Sequence, residues 1–120
     1  LIRRPVAIVF FWSEKLKDWI PVKMVVDTGA DYTILPSWLA EKLGIHLNRD
    51  CRKYTTYGVG GRQTVYLAKN GCQVKLGRWE KKTTVGFLKD NNVPPLLGRL
   101  QFSEVLKVTF ANYKTKFEFT

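Results

Sequence analysis

The chain has 120 residues, which is enough for one hydrophobic core and too few for two, so we expect a single domain over residues 1–120. Twenty Lys and Arg against ten Asp and Glu give a net charge of +10, which favours anionic partners such as nucleic acid, acidic membranes or acidic polypeptides. Two cysteines are too few for a disulfide framework, and no apolar run reaches the ~18 residues of a membrane span. An intracellular, reduced protein, or a piece of a larger precursor, is therefore expected.

Short runs rich in Val, Ile, Phe, Tyr and Thr, separated by Gly, Pro, Asn or charged residues, predict a mostly β fold. Residues 5–12 and 19–26 are typical of a hairpin joined by the polar loop 13–18. The basic and then apolar start of the chain is similar to a poor signal peptide, but its alternation and missing cleavage site favour a strand. Residues 36–44 predict a short helix, because Pro stands in the first turn and Gly at the end.

The second half of the chain continues in the same way. A second helix is predicted at Arg99–Leu106, and residues 108–119 predict a hairpin that turns at residues 112–114. Further strands are predicted at four places: 52–58, 62–68, 71–76 and 81–88.

The most informative segment is Val25-Val26-Asp27-Thr28-Gly29, followed by alanine. An apolar run ends there in one carboxylate, and a charge in such a place is costly unless it is stabilised. The Thr28-Gly29 step lets the backbone turn sharply and bring amide donors near the carboxylate. Alone, this triplet is also compatible with an ordinary turn that closes a hairpin, because a three-residue match is weak.

Two later segments accompany it at suitable distances. Residues 57–62, YGVGGR, place three glycines around one valine, which is typical of a tight hairpin tip. Residues 94–102, PPLLGRLQF, place two leucines before Gly98-Arg99. Together with residues 25–35, VVDTGADYTIL, these segments resemble the retropepsins, the aspartic proteases of retroviruses and their microbial and retrotransposon relatives.

The resemblance implies an all-β, single-lobe, closed acid-protease fold with one or two short helices and a glycine-rich flap, active as a homodimer. The resemblance identifies Asp27 as the catalytic carboxylate. It implies that Thr28 forms a hydrogen bond across the dimer, which holds the two loops rigid, and that Gly29, which has no side chain, leaves room for the substrate backbone. Hydrolysis by carboxylates needs two of them, and the sequence has no second Asp-Thr-Gly or Asp-Ser-Gly. The second carboxylate must therefore come from another copy of the chain.

The resemblance also assigns substrate-binding residues. Ala30 and Asp31 follow the catalytic triplet, Val59 would be the apolar flap tip, and the amides of Gly58 and Gly60 could bind substrate carbonyls. An alanine at position 30 cannot donate a hydrogen bond to the carboxylate, so we expect the two acids to titrate nearer neutrality.

Three charged residues are assigned to the structure of the dimer by the same resemblance. Arg99 would pair with Asp31 and attach the active-site loop to the following helix. Arg4 would reach the same acid of the other subunit. Leu100 departs from the family pattern, which has Asp or Asn after Gly-Arg.

We therefore expect an aspartic endopeptidase that cuts extended polypeptides between hydrophobic residues, with no metal and no cofactor. Two alternatives stay open: a catalytically silent dimeric peptide-binding or scaffold module of the same fold, and a basic nucleic-acid-binding β domain that rests on charge alone. Nucleic acid is a possible but not an expected partner, and a bridge between Cys51 and Cys72 also stays open. Five apolar residues are candidate pocket walls: Val26, Ile34, Val59, Val85 and Leu97.

Overall fold

The computed structural model describes the backbone of residues 6–26, 32–58, 61–89, 94–98, 106–111 and 114–119. It also describes their side chains, except at residues 56–58 and in the two C-terminal ranges. Strands make up most of these residues, which confirms the all-β class.

The predicted N-terminal hairpin is confirmed. Strands β1 (Val6–Ser13) and β2 (Asp18–Val26) pair in antiparallel register, and the turn between them covers residues 14–17. Alternate residues of β1 are buried, with Val9 and Phe11 at 0% exposure. This alternation places one face of the hairpin against the core and the other towards solvent.

The first helix is also confirmed. Strand β3 (Thr33–Pro36) leads directly into α1 (Ser37–Leu43), and Gly44 ends the helix in a left-handed conformation with φ of 79°. The Gly44 N–H donates to the carbonyl of Glu41 at 3.0 Å, and the next N–H donates to the carbonyl of Ala40 at 2.8 Å. Glycine is favoured at such a position because a side chain there would be strained.

A one-turn helix, α2 (Leu47–Asp50), was not predicted. Four residues are too few for helical periodicity to be visible in a sequence. The turn is closed locally, because a carboxylate oxygen of Asp50 accepts the N–H of His46 at 2.8 Å. Neither helix in the described ranges is long and apolar enough to cross a membrane.

The central strands are β4 (Cys51–Gly58), β5 (Gly61–Ala68), β6 (Cys72–Leu76), β7 (Trp79–Thr83) and β8 (Val85–Leu88). The prediction of one strand over 81–88 is wrong, because this stretch belongs to two strands. β7 is mostly exposed and pairs with β6, whereas all four residues of β8 are buried and pair with β3 and β5. The physical reason for the division is that the two runs pair with different strands, and residue 84 between them belongs to neither.

The last described strands are β9 (Leu96–Leu97), β10 (Leu106–Ala111) and β11 (Lys114–Phe119). β10 and β11 pair in antiparallel register, which confirms the predicted C-terminal hairpin. The predicted helix Arg99–Leu106 falls outside the described residues, apart from Leu106, which begins β10.

Within the described residues, nine strands form one sheet in the order β4-β5-β8-β3-β9-β2-β1-β6-β7, and β10–β11 form a separate pair. This sheet is open, with β4 and β7 at its described edges, where we expected a closed one. Cys51 and Cys72 are both free and buried in the core, so no bridge joins them. Burial raises the pKa of the Cys72 thiol to about 12 and also raises that of Cys51.

Candidate active site

Most residues with a predicted role lie outside the described residues, and the structure describes what surrounds them. Of the predicted catalytic, substrate-binding and dimer residues, only the backbone of Gly58, at the end of β4, is described. The roles of the others therefore stay predictions: Arg4, Asp27, Thr28, Gly29, Ala30, Asp31, Val59, Gly60 and Arg99.

The strand before segment 27–31 and the strand after it are attached to the same short strand, β9. Val25 and Val26 of β2 pair in parallel with Leu96 and Leu97 of β9. On the other side of β9, Ile34 of β3 pairs in antiparallel register with Leu96. Because β2 and β3 are each one strand away from β9, they lie ~10 Å apart across it. The described residues on either side of segment 27–31 are thus held at the C-terminal end of β9.

A close contact between Gly98 and β3 strengthens this arrangement. The Gly98 N–H donates to Thr33 Oγ1 at 3.2 Å, and Thr33 is only 1% exposed. A Cβ at position 98 would lie 2.3 Å from both the carbonyl carbon and the oxygen of Tyr32. No side chain fits there, which explains the glycine that follows the two leucines. We call Tyr32, Thr33 and β9 through Gly98 the floor of the candidate site.

Thr33 had no predicted role, although its hydroxyl bonds within the floor. The only signal in the sequence is a hydroxyl residue at the start of an apolar strand, and such a residue is often simply a good strand former. Its partner is 65 residues further along the chain. Local sequence pattern therefore could not reveal the contact.

The prediction of pocket walls is wrong for three of the five residues. Val26, Val85 and Leu97 are 6%, 0% and 1% exposed and belong to the hydrophobic core. They pack inside the protein instead of lining its surface. Ile34 is half-buried, and Val59 lies outside the described residues.

A second apolar cluster lies around Gly86, on the face of β3 opposite the core residue Leu35. A Cβ at Gly86 would lie 2.8 Å from Val65 Cγ1, 2.9 Å from Ile34 Cδ1 and 3.2 Å from Leu67 Cδ2. These three side chains therefore converge over the glycine. Tyr54, which pairs with Val65 across the β4–β5 hairpin, is 47% exposed, so the cluster continues to the protein surface.

The β4–β5 hairpin extends beyond the rest of the sheet. Its pairing continues to Gly58 opposite Gly61, whereas β5 pairs with β8 only over residues 65–67. Residues 61–64 therefore continue roughly 13 Å past the last contact with β8. In register, the hairpin projects beyond Leu88, which is the end of β8 remote from Thr33. Gly61 has a φ of 95°, a conformation that favours glycine.

The root of this hairpin is fixed by polar contacts with α2. Lys69 follows β5 directly; its backbone N–H donates to the Asp50 carbonyl at 2.8 Å, and its Nζ donates to the Arg49 carbonyl at 3.1 Å. The hydrogen bonds from Arg49 and from the His46 backbone lower the pKa of Asp50 to about 2.

Among the described residues, no group of three or more His, Cys, Asp or Glu could hold a metal ion.

Comparisons with known proteins agree with this geometry. No curated protein matches the chain. Among solved structures, EIAV protease complexed with the inhibitor HBY-793 is similar, with 25% sequence identity, a TM-score of 0.59 and coverage of 82% of this chain and 85% of that one. Residues 17–103 match the model of a protein family described as "gag-polyprotein putative aspartyl protease". The chain therefore belongs to this family of retroviral-type aspartyl proteases, the retropepsins.

Proposed function

We propose that this protein is an aspartic endopeptidase that hydrolyses peptide bonds in extended polypeptides, with water activated between two Asp27 carboxylates of a homodimer. One carboxylate takes a proton from the water as it attacks the scissile carbonyl, and the other gives a proton to the carbonyl oxygen. The carbon–nitrogen bond then breaks, and the amine leaves with a proton. Two acids this close share one proton, because like charges repel strongly in a dry site.

The observation that carries the proposal is the attachment of both ends of segment 27–31 to β9. Val26 and Thr33 flank the segment, and both are buried in strands that pair with or contact the same floor. A catalytic acid must be held within a fraction of an ångström, and a loop fixed at both ends supports that precision. The family match covers this whole region, since it extends over residues 17–103.

The proposal of a homodimer rests on the number of catalytic carboxylates in one chain. The chain has one Asp-Thr-Gly segment, and the chemistry needs two carboxylates. Thr28 would bond to its counterpart in the partner, Gly29 would leave room for the substrate backbone, and Arg4 would reach the partner's loop. Arg99 would pair with Asp31 within each subunit.

The β4–β5 hairpin is the proposed flap over the substrate. Its register carries it beyond the far end of β8, so to cover segment 27–31 it must curl across the face that carries Ile34. Strongly twisted sheets allow such a path. Gly58, Val59 and Gly60 would then meet the substrate from above, while Ala30 and Asp31 contact it from below.

Substrate preference follows from the apolar cluster around Gly86. Ile34, Val65 and Leu67 converge there, and exposed Tyr54 continues this surface. An extended peptide bound between floor and flap would place an apolar side chain against it. The EIAV protease structure contains an inhibitor, and we extend to this chain the binding of a ligand of that kind.

The decisive variant is Asp27→Asn, compared with Asp18→Asn as a matched control. Asp18 is an exposed acid at the other end of the same strand, β2. We expect Asp27→Asn to abolish cleavage of an apolar peptide library while dimerisation and the unfolding midpoint stay unchanged. Asp18→Asn should retain full activity.

Enzyme concentration gives an independent test of the shared site. Specific activity should rise with protein concentration until all chains are dimeric, because a single chain supplies only one of the two carboxylates. Full activity in a chain that sedimentation shows to be monomeric, or cleavage by Asp27→Asn at the wild-type rate, would contradict the proposal.

A further inference from the structure

The β1–β2 hairpin has an apolar surface on the side opposite the core. Ile8 and Val6 on this side are 57% and 44% exposed, although both are large aliphatic residues. Cross-strand pairing places Ile8 beside Lys23 of β2. We call this surface the outer face; it consists of Val6, Ile8, Phe10, Trp12, Trp19, Pro21, Lys23 and Val25, together with Lys75 of the neighbouring strand β6.

Aromatic rings occupy the end of the outer face near the turn. Trp12 and Trp19 pair across the hairpin with their ring centroids 5.5 Å apart in an edge-on arrangement. Lys75 Nζ lies 4.6 Å from the centre of the Trp19 ring and 5.6 Å from that of Phe10. These rings are half-buried by one another and by the lysine. The face therefore combines exposed aliphatic residues, half-buried tryptophans and cationic side chains.

The charges on and beside the outer face are mostly positive. Within the described residues, neither Lys23 nor Lys75 forms an ion pair. Glu80 stands opposite Lys75 in register, and one of its oxygens accepts from Gln73 Nε2 at 3.4 Å. Glu14, in the adjacent turn, is paired with the turn's own lysine at 2.6 Å. Two lysines thus remain available to an anionic partner.

A partner for this face must offer both apolar contact and negative charge. Nucleic acid offers charge, but it would stack on rings that Lys75 already covers, and it would leave the aliphatic residues exposed. A second copy of this chain offers apolar contact, but pairing two outer faces would bring the lysines of one face towards those of the other, without acidic groups to compensate them. An anionic bilayer offers acyl chains to Ile8 and Val6, phosphate groups to the lysines and an interface where tryptophan is favoured.

We propose that the outer face binds the surface of anionic lipid bilayers peripherally. Ile8 and Val6 enter the boundary between headgroups and acyl chains, while Lys23 and Lys75 contact the headgroups. The proposal is independent of catalysis, because it uses the side of the hairpin that faces away from the core and none of the proposed catalytic residues.

Sedimentation of the full chain with vesicles tests the proposal directly. Vesicles of phosphatidylcholine with about one third phosphatidylserine should bind the protein, and pure phosphatidylcholine vesicles should not. Ile8→Ser should weaken the partition coefficient about tenfold, because the contact of the isoleucine side chain with the acyl chains is lost. Lys23→Gln should weaken it about fivefold, as one cationic contact is removed. Both side chains are exposed, so the unfolding midpoint should not change.

Matched controls come from another part of the surface. Trp38→Ser removes a 49% exposed tryptophan from α1, and Lys53→Gln removes an exposed lysine from the β4–β5 hairpin. Both variants should bind vesicles like the wild type. Equal binding to both kinds of vesicle, or unchanged binding by Ile8→Ser, would overturn the proposal. If vesicles did not bind, two results would identify a different partner and also overturn the proposal. One is binding of a single-stranded oligonucleotide that Lys23→Gln weakens, and the other is a dimer that Ile8→Ser dissociates.

Discussion

The floor of the site and the β4–β5 hairpin both depend on glycine, but for opposite physical reasons. At Gly98 a Cβ would lie 2.3 Å from the backbone of Tyr32, so the floor has no room for a single further carbon atom. At Gly61 a Cβ would meet nothing within 4 Å, and it is the φ of 95° that favours glycine. The floor is therefore limited by packing, whereas the hairpin is limited by backbone conformation alone.

The largest effect is expected from Gly98→Ala, which tests the crowding of the floor. The methyl group collides with backbone atoms, and these cannot move aside as a flexible side chain could. We expect a loss of about 3 kcal/mol in the free energy of unfolding, measured in urea, together with loss of peptidase activity. A loss below about 1 kcal/mol would mean that the floor can relax, and the contrast with the hairpin would disappear.

Thr33→Val tests how much the hydrogen bond between Gly98 and Thr33 contributes to the stability of the floor. The change keeps the shape of the side chain and removes the oxygen that accepts the Gly98 N–H. We expect a loss of about 1–2 kcal/mol in the free energy of unfolding. Thr33→Ser is the control, because it keeps the hydroxyl and loses only a methyl group. If Thr33→Val were as stable as the wild type, packing alone would account for the floor.

Gly61→Ala tests the hairpin side of the comparison. Alanine at a φ of 95° is strained, so we expect a loss of about 1 kcal/mol in the free energy of unfolding. If the hairpin is the proposed flap, KM for a peptide should also rise. Arg62→Ala, an exposed neighbour on the same strand, should change stability little. A Gly61→Ala protein as unstable as Gly98→Ala would remove the distinction between the two regions.

The smallest effect is expected at the root of the hairpin, from Asp50→Asn. The folded state lowers the pKa of Asp50 to about 2, so the ionised carboxylate favours folding at pH values above its ordinary pKa. This contribution is lost as the pH falls from about 4 to about 2. Asp50→Asn should therefore lower the melting temperature slightly at pH 7 and not at pH 2. Equal shifts at both pH values would exclude the carboxylate as the cause.

Local features of the fold could be predicted from the sequence because neighbouring residues determine them. The N-terminal hairpin, the helix that ends at Gly44 and the C-terminal hairpin all follow from alternation and turn residues. Contacts between distant parts of the chain could not be predicted in this way. The bond from Gly98 to Thr33 joins residues 65 positions apart, and the separation of β7 from β8 depends on which strands each one pairs with.

The candidate pocket walls show a second limit of sequence reasoning. A resemblance indicates which residues lie near a site, but it does not give the direction of each side chain. Val85 and Leu97 are next to the site in the chain's topology, yet both are buried in the core. Ile34 differs because strand alternation turns it to the face opposite Leu35.

The position of β9 late in the chain has a consequence for biosynthesis. The acidic triplet emerges from the ribosome early, but the strand that separates and fixes its two flanks begins only at Leu96. Closing a contact over such a distance is slow and needs the downstream partner to exist. A polypeptide that stops before this point carries the complete acidic triplet but lacks the strand that pairs with both of its flanks, so the geometry of the floor cannot form until β9 has been synthesised.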